Sequence, residues 1–187
     1  MFLKDILLAM FLFAAHSVSH PTFYNLTMDD DEICHSPDPA PIRSWHIHVH
    51  YWGENKKSVE SAHRLRERFI KRFKDELGPE CESPMHNDYM CMLGDRPVPG
   101  GPFLTAQWAV FLLPEHFEEA VSWMAQHRHN HDVLLHPNSG CIVPDHTHWA
   151  FWLGDRWKLD LSIFEDSINR PFHLQEQKNN DEVPAEK

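Results

Sequence analysis

Ser44-Trp45-His46-Ile47-His48-Val49-His50-Tyr51-Trp52 is the stretch that decides the fold. Side chains alternate between the two faces of a strand, so His46, His48 and His50 fall on one side and Ile47, Val49 and Tyr51 on the other. One face is apolar enough to enter a core, and the other is a row of imidazoles. Histidines two apart on one face have Cβ atoms roughly 6–7 Å apart, close enough for both rings to hold one ion. A solvent-facing strand would show the same alternation, and in either reading His50 is expected to be an exposed bystander.

Outward from this strand, Val59, Ala62, Leu65, Phe69, Ile70 and Phe73 recur at helical spacing and predict a helix over residues 58–77, ended by Gly78-Pro79. Residues 88–94 read as a short strand, Gly100-Gly101-Pro102 as a turn, and residues 104–113 as a strand carrying Ala106, Trp108, Val110 and Leu112. Pro114, with Glu115, Glu118 and Glu119 close behind, opens a second helix that runs to about Arg128. Residues 132–136 and 149–153 are strand-like. The order is β-α-β-β-α-β with an extra C-terminal strand, which predicts an α+β, ferredoxin-like domain with both helices on one face of an antiparallel sheet. In that arrangement the first and last strands of the unit are neighbours, and His46 and His48 come to lie across from His136.

The chain has 187 residues, a formal net charge of −11 and 16 histidines, a number that neither charge balance nor core filling requires. The acidic balance argues against a nucleic-acid footprint, because the only basic stretch is short, over residues 64–74. At the N-terminus Lys4 precedes an apolar run too short to cross a bilayer, followed by Ser17 and Ser19, so residues 1–19 read as a secretory signal peptide and the protein as secreted. No other segment is apolar enough to span a membrane. Asn25-Leu26-Thr27 is a glycosylation sequon consistent with export. Residues 20–43 read as an extended tail, residues 44–164 as the domain, and residues 165–187 as a polar C-terminal tail.

Cys34, Cys81, Cys91 and Cys141 contain no C-x-x-C pair, and in an oxidising compartment they point to disulfides. Three pairings exist. The favoured one closes a short loop with Cys81 and Cys91 and leaves Cys34 to tether the tail to Cys141.

Further histidines suit metal chemistry. His136 precedes the Pro137-Asn138-Ser139-Gly140 turn at a strand end, and Asp145-His146-Thr147-His148 offers two imidazoles and a carboxylate able to orient one of them. His127, His129 and His131 lie at a polar helix end and read as capping and solvent-facing groups. An amino-terminal His20 would be a weak copper chelator.

Trp45-His46-Ile47-His48-Val49, Arg96-Pro97-Val98, the run from Asp132 through Gly140, Asp145-His146, Ala150-Phe151-Trp152-Leu153-Gly154 and Leu159-Asp160-Leu161 together resemble the DOPA 4,5-dioxygenase family of fungal enzymes and bacterial relatives. The resemblance spans residues 44–164 in order. It implies a ferredoxin-like fold, often dimeric, and a non-haem Fe(II) extradiol dioxygenase that opens L-DOPA or a related catechol with O2. By that analogy the metal site falls at His46, His48, His136 and His146, three as ligands and one as acid/base, with His146 taking the proton role; zinc or copper are the alternative metals. Two positions depart from the family pattern. Gly101 stands where the family commonly has histidine, and Trp149 precedes Ala150 where a histidine is frequent, with His148 one residue earlier. These departures leave open a second class, a secreted metal- or small-aromatic-binding protein without turnover.

Overall fold

The computed structural model describes Cys34 and residues 40–164. The signal peptide, the Asn25 sequon, His20 and the C-terminal tail lie outside the described residues. Five strands, β1 (Ser44–Tyr51), β2 (Cys91–Arg96), β3 (Ala106–Leu112), β4 (Val133–Asn138) and β5 (Phe151–Leu153), form one sheet in the order β2-β3-β1-β4-β5. Every pairing is antiparallel. Among the described residues three α-helices accompany the sheet: α1 (Lys56–Arg72), α2 (Phe117–His127) and the short α3 (Ile142–His146).

The odd-numbered face of β1 supplies Ile47, Val49 and Tyr51 to a core shared with Leu65, Phe69 and Phe73 of the first helical region and Ala120 and Met124 of α2. Trp108 crosses this layer fully buried and donates its Nε1–H to the Ala62 carbonyl at 3.1 Å, so its one polar atom is satisfied inside the helix layer. Helix α1 starts two residues before the expected point because the Asn55 side chain caps it, accepting the Ser58 N–H. It also ends earlier than residue 77. Leu77 leaves the helix to form a parallel bridge with Met90, and the intervening residues close as turns.

The expected second helix begins as a 3-10 turn, Pro114–His116, before α2 proper. Strand β4 does not stop at His136 but continues through Pro137 to Asn138. Asn138 accepts the Arg43 N–H, so by alternation the Pro137 nitrogen faces away from β1, on the side where β5 pairs only as far as Leu135. No ladder partner is lost there. Both favoured disulfides are present, Cys34 with Cys141 and Cys81 with Cys91. Among the described residues no helix is long and apolar enough to cross a membrane.

Candidate metal centre

The second face of the sheet is also buried. The β1/β4 register sets His46 directly opposite His136 and His48 opposite Leu134, so one face of two adjacent strands presents three imidazoles. Their exposures are 5% for His46, 7% for His48 and 1% for His136. One ligating atom from each lies within 4.8 Å of the others. His146, carried by α3, places its ring 3.9 Å from that of His136. Phe103 packs on His48 at 4.5 Å and Phe164 on His146 at 4.9 Å, closing the cluster from above.

Hydrogen bonds fix which ring nitrogen is free. A carbonyl oxygen can only accept, so the nitrogen facing it carries the hydrogen. His136 Nδ1 donates to the Pro137 carbonyl at 2.8 Å, and His146 Nδ1 donates to the Ile142 carbonyl at 2.8 Å. His48 Nδ1 donates to Gln107 Oε1 at 3.1 Å. In each neutral ring Nε2 is then a bare lone pair. The Nε2 atoms of His48 and His136 face each other at 3.2 Å, and two lone pairs at that distance repel unless a cation lies between them. Protonation does not supply it. Burial holds both rings well below the ordinary histidine range, and neighbouring imidazoles push the same way. His46 is lowered to about 3, first by burial, against an opposing backbone hydrogen bond to Pro84, with His146 adding to the lowering. Its Nε2 is buried with no hydrogen-bond partner among the described residues.

These residues fit a divalent cation. Two nitrogens each about 2.1 Å from one ion stand roughly 3.0–3.4 Å apart at ordinary coordination angles, which brackets the His48–His136 spacing. Three neutral imidazoles suit iron, zinc or copper and leave coordination positions open. The Gln107 contact orients His48 and holds its tautomer. Gln107→Leu is expected to weaken metal binding about tenfold with little change in fold, checked by competition against a chromogenic chelator. An unchanged affinity would remove Gln107 from this role. In the sequence it is the single amide in an otherwise apolar strand, which is the signal that identifies it.

Several expectations need correction. Asp145 does not orient an imidazole: its carboxylate accepts the Ser139 N–H at 3.0 Å and the Ser139 hydroxyl at 2.7 Å, pinning α3 to the loop beside Cys141. Burial raises that carboxyl to about 6 despite the opposing Ser139 hydrogen bonds. His50 is not exposed; at 4% exposure it stacks on Trp152 and Trp157 and shares a hydrogen bond with Thr105 Oγ1 at 3.1 Å. His131 is not a solvent-facing cap. It is buried and ties β1 to α1 through the His50 carbonyl at 3.1 Å and Ser61 Oγ at 3.0 Å. His127 does sit at the helix end, bonded to the Trp123 carbonyl. His148 is exposed and apart from the cluster.

His146 also lines a cavity of about 370 Å³ with Trp152, Arg156, Trp157, Lys158 and Leu159. A larger one of about 530 Å³, between Trp52 and Val98, touches no histidine of the cluster. The smaller cavity is the one that reaches a histidine packed against the cluster.

A model of the Dopa 4,5-dioxygenase family matches residues 45–163. An uncharacterised 21.2 kDa protein of Botryotinia fuckeliana is 29% identical over 125 residues, which are 63% of this chain and 61% of that protein's length. A crystal structure of a candidate dioxygenase from Nostoc punctiforme is 25% identical with a TM-score of 0.56, covering 71% of this chain and 99% of that one.

Proposed function

This chain belongs to the Dopa 4,5-dioxygenase family, and on that premise we propose that it is an extradiol dioxygenase opening the ring of L-DOPA or a related catechol with O2. The domain in this reading is ferredoxin-like and the protein is secreted, a setting with which its two disulfides are compatible. His46, His48 and His136 hold Fe(II), and His146 handles the proton. The observation that carries the reading is the pair of bare Nε2 atoms on His48 and His136, buried and facing each other at 3.2 Å, beside His146, which lines a cavity.

When bound, Fe(II) supplies a redox-active Lewis acid whose open positions suit a catechol and O2. The chain's own residues do the rest. His146 keeps Nδ1–H on the Ile142 carbonyl, so its Nε2 is free to accept a catechol proton and later return it. Phe103 and Phe164 keep water from the rings, and Trp152 and Trp157 wall the cavity in which the substrate ring lies flat. In the net reaction the ring carbon–carbon bond breaks and both oxygen atoms of O2 enter the product, one in a new aldehyde and one in a new carboxylate.

Gly101 favours the non-catalytic alternative, since it stands where the family commonly has histidine and offers no side chain to a substrate. The test is direct. The chain is mixed anaerobically with Fe(II) and L-DOPA, air is admitted, and absorbance and O2 uptake are followed. Ring cleavage gives a yellow product and one O2 per catechol. A folded, iron-loaded sample that consumes no O2 with L-DOPA or any simple catechol would overturn the enzyme reading and leave a binding protein.

A further inference from the structure

The cavity beside His146 runs against the charge of the molecule. The chain carries a net −11, yet Arg156 and Lys158 line this cavity and, among the described residues, no carboxylate does. Neither cation forms an ion pair among the described residues. Two nearby acids, Asp132 and Asp160, are occupied elsewhere. Asp132 accepts the Asp155 N–H and the Trp157 indole N–H, each at 2.8 Å. Asp160 accepts the Ser162 N–H at 3.1 Å and hydroxyl at 2.6 Å.

The Asp132 contacts do more than neutralise a carboxylate. They hold the turn that presents Arg156, Trp157 and Lys158, and they need Gly154, because a Cβ there would collide with Asp132 and Arg128. Trp157 is further braced against Trp52, with ring centroids 4.8 Å apart. Two indoles and two cations therefore line a space of about 370 Å³, near the lower end for ligand pockets and suited to a single ring with a short side chain.

We infer that the substrate class is a single-ring catechol whose side chain ends in a carboxylate without an ammonium beside it, the ring lying against Trp152 and Trp157 and the carboxylate held by Arg156 and Lys158. The inference rests on the ring-cleavage reading above and narrows it. A guanidinium and an ammonium complement a carboxylate, while among the described residues no lining acid pairs an ammonium, which would sit beside two like charges. An amino-acid catechol is accepted less well than its deaminated counterpart, and an aminoalkyl catechol is rejected.

The experiment is an anaerobic titration of the full chain loaded with Zn(II), which cannot turn over, followed by tryptophan fluorescence. The ligands are 3,4-dihydroxyphenylpropanoate, L-DOPA, 4-methylcatechol and dopamine. Affinity is expected to fall in that order, with the propanoate at least tenfold tighter than 4-methylcatechol. In Arg156→Gln/Lys158→Gln that ratio is expected to drop to about one, and in Arg156→Glu/Lys158→Glu dopamine should overtake the propanoate. Equal affinities in the unaltered chain, no binding of any of the four, or a preference that survives both double substitutions overturns the inference. O2 uptake by the Fe(II)-loaded chain separates the two readings: uptake without a charge preference rejects the carboxylate subsite and spares ring cleavage. A charge preference without uptake rejects ring cleavage and leaves the subsite standing as a ligand site.

Discussion

His136→Ala is expected to lower metal affinity at least a hundredfold while the chain still folds. His136 is the one member of the trio that comes from β4, and it lies directly across from His46 and within 3.2 Å of the His48 nitrogen. Removing it leaves two ligands from a single strand, a set too small to retain a divalent ion against competing buffer. The fold should survive because the ring belongs to the histidine face of the sheet and not to the core under α1 and α2. The substitution also removes one of two facing lone pairs, which offsets part of the cavity cost in the metal-free protein. Metal content after dialysis, measured beside a thermal melt, checks both halves. A variant that keeps stoichiometric metal would show that the ligand set is wrong, and one that no longer folds would show that His136 is needed for packing.

The second large effect is acid lability of the metal-free protein. Burial is the leading cause that lowers His46, His48, His50, His131, His136 and His146 below the ordinary histidine value. A histidine with a depressed native pKa contributes no pH dependence well above 6.5, where neither state is protonated. As pH falls through 6.5 the unfolded chain takes up protons that the folded chain refuses, so stability is lost, by up to about 1.4 kcal/mol per pH unit for each group. The loss continues down to the native pKa, about 3 for His46 and about 4 for His50. Those two alone amount to roughly 4 kcal/mol by pH 5, a large part of the stability of an ordinary domain.

Asp145 acts in the opposite direction. Its carboxyl, raised from 3.8 to about 6, returns stability as pH drops through that value, on the order of 1 kcal/mol by pH 5. The histidines outnumber it, so the net sign is destabilising. Denaturant melts of metal-free protein at pH 7.5, 6 and 5 measure this directly. Equal stabilities across that range would mean that the imidazoles are not held neutral. Bound metal should resist the loss until protons compete for the ligand nitrogens, which makes the metal-loaded melt the companion measurement.

Much of the site was legible from local pattern. The alternation from Trp45 to Trp52 settled which face of β1 meets the helices, because a strand has only two faces and Ile47, Val49 and Tyr51 share one. The element order then made β4 a neighbour of β1, and the observed register joins His46 to His136. What periodicity does not encode is how the far face of the sheet is covered. His50 read as exposed because nothing in its own strand buries it; Trp152 and Trp157, a hundred or so residues later, do so. The burial of His131 is hidden from local pattern for a similar reason, since its partners, Ser61 and the His50 carbonyl, belong to other elements.

The sequence by itself determined the α+β order of elements and the histidine face of β1; it carried the resemblance to the family and left three cysteine pairings open, of which the structure shows the short loop and the long tether. The order and the face follow from spacing and residue type, which are local. Only the tertiary structure decided which ring nitrogens are free, that Asp145 serves Ser139 and not an imidazole, and that two cations and two indoles meet beside His146. Each of these depends on a hydrogen-bond partner or a packing surface brought from a distant segment, and no local rule fixes where such a partner arrives.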